Sequence, residues 1–319
     1  MMGANIVSKE SSEFFKKVIH QSLEGGDRIR QREGKGANKY ITLVEQLYEN
    51  TNVPGSEKSP EEAGKPKKLT YNEFIGMNVL QLSVGNEATT TILTCTAYQL
   101  ALSPEVQDKI IEEIDRNAPN PEDINYDTMS KMKYMEMVIY ECFRLYPPVV
   151  STDRECAETV TYGKYTLPKG LVVHIPAYSV QHDEDLWPNP EEFRPERFSP
   201  ENKDSVEPLA WLPFGGGPRA CVAVKLILLL MKVFLTRVLQ EYRFEACPET
   251  PVSWQGLGWD DIYTCVPKTG VIGSRVSPGE EGELGPCLLP RRDKTTFGRN
   301  KGRFCQKVLK CASLKLLIY

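Results

Sequence analysis

Between Val79 and Leu102 the chain reads VLQLSVGNEATTTILTCTAYQLAL, with Glu87 as its one charge. A stretch this long and this apolar at helical spacing has no solvated face to offer. It predicts a helix buried within a mainly helical protein. The pattern runs from Leu69 to about Asn117, with Ser103-Pro104 opening a second helix because proline suits a first helical turn. Another helix is predicted over 126–148, stopped by Pro147 and Pro148. Residues 158–180, ETVTYGKYTLPKGLVVHIPAYSV, alternate β-branched and polar side chains around Gly163 and Gly170, as short strands and hairpins do. An irregular, proline-rich run covers 187–218, and a buried helix follows Cys221 to about Gln240. Its apolar run LILLLMKVFL (226–235) is well short of the ~20 residues that cross a bilayer. The fold class is mainly α with small β-sheets.

Around this core the chain is less regular. Residues 11–48 have the spacing of two helices joined by a charged, glycine-containing stretch. NVPGSEKSPEEAGKPKK (52–68) is a flexible surface loop by composition. Residues 276–319 mix turn formers with basic residues and form a tail expected to be disordered. A formal net charge of -4, with charges interspersed, gives no field pointing to nucleic acid. The start has no signal-peptide pattern. Nine cysteines without a C-x-x-C pair, and three histidines without H-E-x-x-H, offer no zinc or dithiol site. His182 reads as a hydrogen-bonded residue near a strand end rather than a ligand. The odd cysteine count suits the reducing cytosolic side of a cell.

One thiol has unusual surroundings. PFGGGPRACVAVKLILLL (213–230) sets Cys221 between a glycine turn and an apolar helix. An isolated cysteine is usually a small buried hydrophobe. The glycines could suggest a phosphate cradle, but neither the Gly-Lys-Ser/Thr of a Walker loop nor G-x-G-x-x-G is present. They do permit backbone to approach a flat ligand closely. A thiolate just before a helix N-terminus and beside Arg219 is stabilised as an anion, as a metal ligand must be. One thiolate cannot complete a zinc site, but it can be the sole protein ligand of a haem iron, whose in-plane positions the porphyrin fills. The two haem propionates then require cations, for which Arg154 and Arg219 are the candidates.

Over residues 11–275 the chain resembles the cytochrome P450 family. Phe214, Gly217, Arg219 and Cys221 match that family's ligand loop F-x-x-G-x-R-x-C-x-G, with Ala223 at its last glycine. Glu141-Cys142-Phe143-Arg144 matches E-x-x-R, a motif that alone is usually a solvated pair worth about 0.3–0.5 kcal/mol. Here it lies in an apolar helix and is followed by FRPERF. The resemblance implies that Arg197 joins Glu141 and Arg144 in a buried network supporting the haem side. It also implies a cytochrome P450 fold incomplete at its N-terminus, with an axial thiolate from Cys221 and a haem pocket that includes Phe214, Gly217 and Ala223. Residues 1–51 would be partial N-terminal helices and 69–275 the haem-binding core.

The departure lies in the distal helix. The family reads A/G-G-x-E/D-T-T where this chain has Val84-Gly85-Asn86-Glu87-Ala88-Thr89-Thr90. Gly85 and Glu87 align, and Ala88 replaces the threonine whose hydroxyl helps deliver protons to bound dioxygen. The resemblance implies that Glu87, Ala88 and Thr89 are the distal catalytic positions, with Thr89 or an ordered water in place of the missing hydroxyl. EEIDRNAPN and FSPENKDSVEP resemble the steroid- and drug-oxidising monooxygenases. Such an enzyme takes a hydrophobic substrate and an NADPH-dependent flavoprotein reductase at the cytosolic face of the endoplasmic reticulum membrane. KKLTYNEFIG and RFEACPETPV are similar to thromboxane-A synthase, an isomerase of prostaglandin endoperoxide that can dispense with the threonine. A third expectation is a truncated chain without activity, lacking the membrane anchor and the helices that close over haem.

Overall fold

The computed structural model of the chain describes most of residues 13–21, then residues 51–52, 69–202, 205–207 and 209–246, and three later strands. The chain divides into two units, Met1–Glu87 with Ser313–Tyr319, and Ala88–Ala312.

In the first unit the described part of 13–21 is helical. The second helix expected before residue 48 and nearly all of the 52–68 loop lie outside the described residues. Strands β1 (Thr51–Asn52) and β2 (Leu69–Thr70) pair in parallel. β2 leads into α1 (Tyr71–Leu102), whose start is set by a reciprocal cap. The Thr70 amide and hydroxyl donate to Glu73 Oε2 at 2.7 and 2.9 Å, while the Glu73 amide donates to the Thr70 hydroxyl at 3.3 Å. Phe74 and Ile75 bury against Ile19. Met77, Leu80 and Val84 are exposed, however. The expected all-round burial of the 79–102 stretch is thus corrected: continuous burial begins near Thr91, where the helix meets the main core.

The core of the second unit gathers side chains from the end of α1 and from the helices that follow it. α2 (Pro104–Asn117) begins on proline, as expected. The single helix predicted over 126–148 is two, α3 (Tyr126–Lys131) and α4 (Lys133–Leu145), separated by Met132 at ψ 77. The break has a distant cause. The Glu113 carboxylate of α2 accepts from the amides of Tyr134 and Met135 at 2.8 and 2.9 Å, fixing where α4 starts. Ile92 and Leu100 of α1, Ile110 and Ile114 of α2, Met135 and Ile139 of α4, and Leu235 and Leu239 of α6 (Val224–Glu241) are all fully buried in one cluster. Each such side chain contributes about 1.5–3 kcal/mol.

Short strands flank the helices. β3 (Thr152–Glu155) pairs antiparallel with β6 (Val172–Ile175), and β4 (Val160–Tyr162) with β5 (Tyr165–Leu167), turning at Gly163. α5 (Ala177–Gln181) follows β6. β7 (Tyr242–Glu245) pairs with β10 (Cys287–Pro290), and β8 (Trp259–Asp261) with β9 (Thr264–Pro267). Apart from β10, the 276–319 tail lies outside the described residues. α6 is exposed at Leu226, whereas Met231, Leu235, Val238 and Leu239 are buried, so the helix after Cys221 begins at the surface and packs one face of its second half into the core. Among the described residues no helix is long and apolar enough to cross a membrane.

Candidate functional site

Glu141 and Arg144 lie one turn apart on α4, with no exposed side-chain surface. Arg144 donates from Nε to Glu141 Oε2 at 2.8 Å and from Nη2 to Oε1 at 2.9 Å, a two-pronged pair. Its remaining donors reach the carbonyls of Gln181, Pro190 and Glu192 at 2.9, 2.6 and 3.3 Å. Its guanidinium stands 5.3 Å from the Trp187 ring centroid. Arg197, on the turn Pro195–Phe198, brings Nε to 3.3 Å from Glu141 Oε1, an ion pair without hydrogen-bond alignment. Its two terminal nitrogens donate to the Pro188 and Asn189 carbonyls at 2.7 and 2.6 Å. Burial pulls its pKa down from the ordinary guanidinium value, and Glu141 opposes that. The Arg194 amide donates to Glu141 Oε1 at 3.0 Å. A solvated pair is therefore the wrong description of this E-x-x-R: two guanidiniums and one carboxylate are sealed among backbone carbonyls.

The Cys221 loop sits directly after this region in the chain. Leu212 O accepts from the Gly215 amide at 3.0 Å, and Phe214 O accepts from the Cys221 amide at 2.9 Å. Gly215 and Gly217 have φ of +68 and +71, which side-chain-bearing residues rarely adopt. Gly216 has φ -147 and no such need. Ala223, at φ -93 immediately before α6, explains why a residue with a Cβ can stand where the family pattern has glycine. Phe214 packs on Phe143 of α4 with ring centroids 4.6 Å apart, and Trp211 on Tyr140 at 4.9 Å. These ring pairs fix the loop's inner side, each contributing about 0.5–1.5 kcal/mol beyond area burial.

The thiol itself faces outward. Of the described cysteines, Cys95 and Cys142 are buried, Cys156 is partly buried, and Cys221 is exposed. Burial pushes the Cys142 thiol up to about 12, so it stays protonated within the core. Cys221 is not a core filler of that kind. Next to it Val222 is fully exposed at 101% and Leu226 is 57% exposed. Arg219 is exposed on the same loop.

The other sequence candidates are spread over separate elements. Glu87 is exposed at the end of the first unit, whereas Ala88 and Thr89 are half-buried at the start of the second. Arg154 stands on β3 opposite Val173 and donates to the Asp153 carbonyl at 2.7 Å. His182 follows a short helix rather than a strand, stacked on Tyr178 with Nδ1 2.9 Å from that residue's carbonyl. Burial lowers its pKa below the ordinary imidazole value, which suits a neutral structural residue.

One buried residue was not visible in the sequence. Gln181 is 0% exposed and bonds to both α4 and Leu212, at the entrance to the Cys221 loop. Its partners lie 31 to 38 residues away along the chain, so no local motif carries the signal.

These features fit a haem. The exposed soft thiol of Cys221, open space where a Cβ would stand at Gly215 and Gly217, and exposed apolar side chains beside it suit a flat, apolar, metal-bearing ligand. Arg219 is available on the loop for a carboxylate.

The comparisons agree. A model of the family Cytochrome P450 matches residues 7–258. Cytochrome P450 3A16 of Mus musculus is 38% identical over 252 residues, 79% of this chain and 48% of that protein. Cytochrome P450 3A1 of Rattus norvegicus is 38% identical over 261 residues, 81% of this chain and 49% of that protein. Cytochrome P450 3A29 of Sus scrofa is 35% identical over 279 residues, covering 85% and 53%. The chain thus spans about half the length of the curated relatives it matches. Proteins of this kind bind haem through a cysteine thiolate, which makes haem its cofactor. A family match over most of its length, converging with the thiol loop and the ion network behind it, makes the chain a member of the cytochrome P450 family.

Proposed function

We propose that the chain forms the haem-thiolate core of a monooxygenase that inserts one oxygen atom of O2 into a hydrophobic lipid, steroid or xenobiotic. The observation that carries this reading is the exposed Cys221 thiol on a glycine loop braced from behind by Phe214 and Phe143. When bound, haem supplies oxygen activation at iron, with thiolate donation favouring O–O cleavage. Cys221 holds the metal. Arg219 and Arg154 hold the propionates, while Phe214, Gly217 and Ala223 shape the loop. Glu141, Arg144 and Arg197 keep that side rigid without touching reacting atoms. Glu87, Ala88 and Thr89 line the distal side.

Ala88 has no hydroxyl with which to hold a proton, so the half-buried Thr89 would do so in its place. The same alanine favours a second reading, a thromboxane-A synthase-like isomerase of prostaglandin endoperoxide, which needs no proton relay. The monooxygenase would draw electrons from an NADPH-dependent flavoprotein reductase at the endoplasmic reticulum membrane. A third reading is a chain without catalytic activity.

The test is a reduced carbon monoxide difference spectrum of the purified, haem-loaded chain and of Cys221→Ala. The parent shows a thiolate-ligated band and the variant loses it; a parent without the band sinks the haem-thiolate reading. Substrate oxidation that needs O2 and reductase then supports the monooxygenase. Turnover of endoperoxide without either supports the isomerase, and neither activity supports the inactive chain.

A further inference from the structure

We infer that Gln181 is a positioning residue that couples the buried ion network to the Cys221 loop and sets where the thiolate stands. The inference rests on the haem-thiolate reading above and extends it to a residue outside the shared motifs.

Gln181 ends α5 and is wholly buried. Its Nε2 donates to the carbonyls of Phe143 and Arg144 at 3.1 and 2.9 Å, and its Oε1 accepts from the Leu212 amide at 2.8 Å. Its own carbonyl accepts from Arg144 Nη1 at 2.9 Å. Every polar side-chain atom it has is therefore used, and the amide is oriented by donors and acceptors that cannot be exchanged by a flip.

The two ends of this clamp meet again at Phe214. Gln181 holds the Phe143 carbonyl, and the Phe143 ring packs on Phe214 at 4.6 Å. It also holds the Leu212 amide, two residues before Phe214, and the Phe214 carbonyl takes the Cys221 amide. A shift of Leu212 relative to α4 must therefore move Phe214 and the backbone of Cys221 with it. Arg144 is bound from both sides, by Glu141 and by the Gln181 carbonyl, so the network supplies the fixed end of the clamp. Ligand geometry held by outer partners is the usual means by which a metal's first ligand is oriented.

Two variants test this in the full chain. Gln181→Met keeps length and removes both polar atoms; Gln181→Glu keeps an acceptor for Leu212 and loses the donor to α4. In haem-free protein, hydrogen exchange of the segment from Leu209 to Cys221 rises in Gln181→Met, with α4 protection unchanged. After haem loading, the thiolate-ligated share of the carbon monoxide spectrum falls about five- to tenfold, the worth of the bond to Leu212, which alone of the three lost ties the loop. Gln181→Glu keeps the parent's exchange at Leu212, and its thiolate-ligated share lies between those of the parent and Gln181→Met.

A Gln181→Met variant that keeps the parent's loop exchange and thiolate share overturns the inference. So does a loss of thiolate share that merely follows global unfolding in urea. A parent chain without a thiolate band sinks the haem reading instead, and the haem-free exchange experiment still decides the clamp.

Discussion

Two neighbouring regions carry the family's motifs, and they are built in opposite ways. The Glu141–Arg144–Arg197 network is sealed, with its charges paired and most of its donors taken by backbone carbonyls. The Cys221 loop is open, with an exposed thiol, two left-handed glycines and uncovered apolar side chains. The network is a finished piece of structure. The loop has surface chemistry directed at a ligand. Stability and haem binding should therefore separate under mutation, the first responding to the network and the second to the loop.

The largest expected effect breaks the sealed side. Glu141→Ala leaves Arg144 and Arg197 buried without a counter-charge, and removing one partner of a buried pair costs about 3–5 kcal/mol. In a marginally stable chain that is a large part of the whole. Urea unfolding should show a collapse in midpoint. A loss under about 1 kcal/mol would mean that water enters the site and that the network is not sealed.

The next effect sharpens the open side. At Gly217 nothing stands within 4 Å of an added Cβ, so Gly217→Ala meets no clash and is opposed by backbone strain alone. Left-handed backbone costs an L-residue roughly 1–2 kcal/mol. Gly216→Ala is the control, since its φ is ordinary and its Cβ would meet Leu209 and Leu212 at 3.8 and 3.9 Å, normal contact. Thermal unfolding should fall for Gly217→Ala and stay near the parent for Gly216→Ala. The thiolate-ligated share of the carbon monoxide spectrum should follow the same order. Equal behaviour of the two variants would remove backbone conformation as the reason for glycine in this loop.

The same contrast explains what the sequence made legible. Spacing alone put Glu141 and Arg144 on one helical face, and the glycines with Cys221 marked the loop. The resemblance implied a buried network, but not what seals it, because the carbonyls of Gln181, Pro190 and Glu192 fold over α4 from some 40 residues away. Met132 breaks a predicted helix because Glu113, on another helix, takes the amides of the next turn. Leu80 and Val84 keep the helical pattern of buried residues yet are exposed, since periodicity records which faces are apolar and not which are covered. Each failure has the same physical origin: partners distant in the chain decide what a local pattern becomes.

The smallest effect concerns Leu209, where the two designs meet. It is a leucine at φ +68, 72% exposed, just ahead of the loop. A branched residue in that conformation is strained by about 1–2 kcal/mol. Leu209→Gly relieves the strain but adds about 0.5–1 kcal/mol of backbone entropy to the unfolded chain. The balance is a stabilisation between zero and about 1.5 kcal/mol, read as a higher urea midpoint. If the midpoint falls instead, the leucine's packing outweighs its strain, and its Cδ2, which stands 3.8 Å from the Cβ position of Gly216, acts as a prop for the loop. The thiolate-ligated share of the carbon monoxide spectrum then separates the cases. Strain relief alone leaves it at the parent's value, whereas loss of a prop lowers it together with stability.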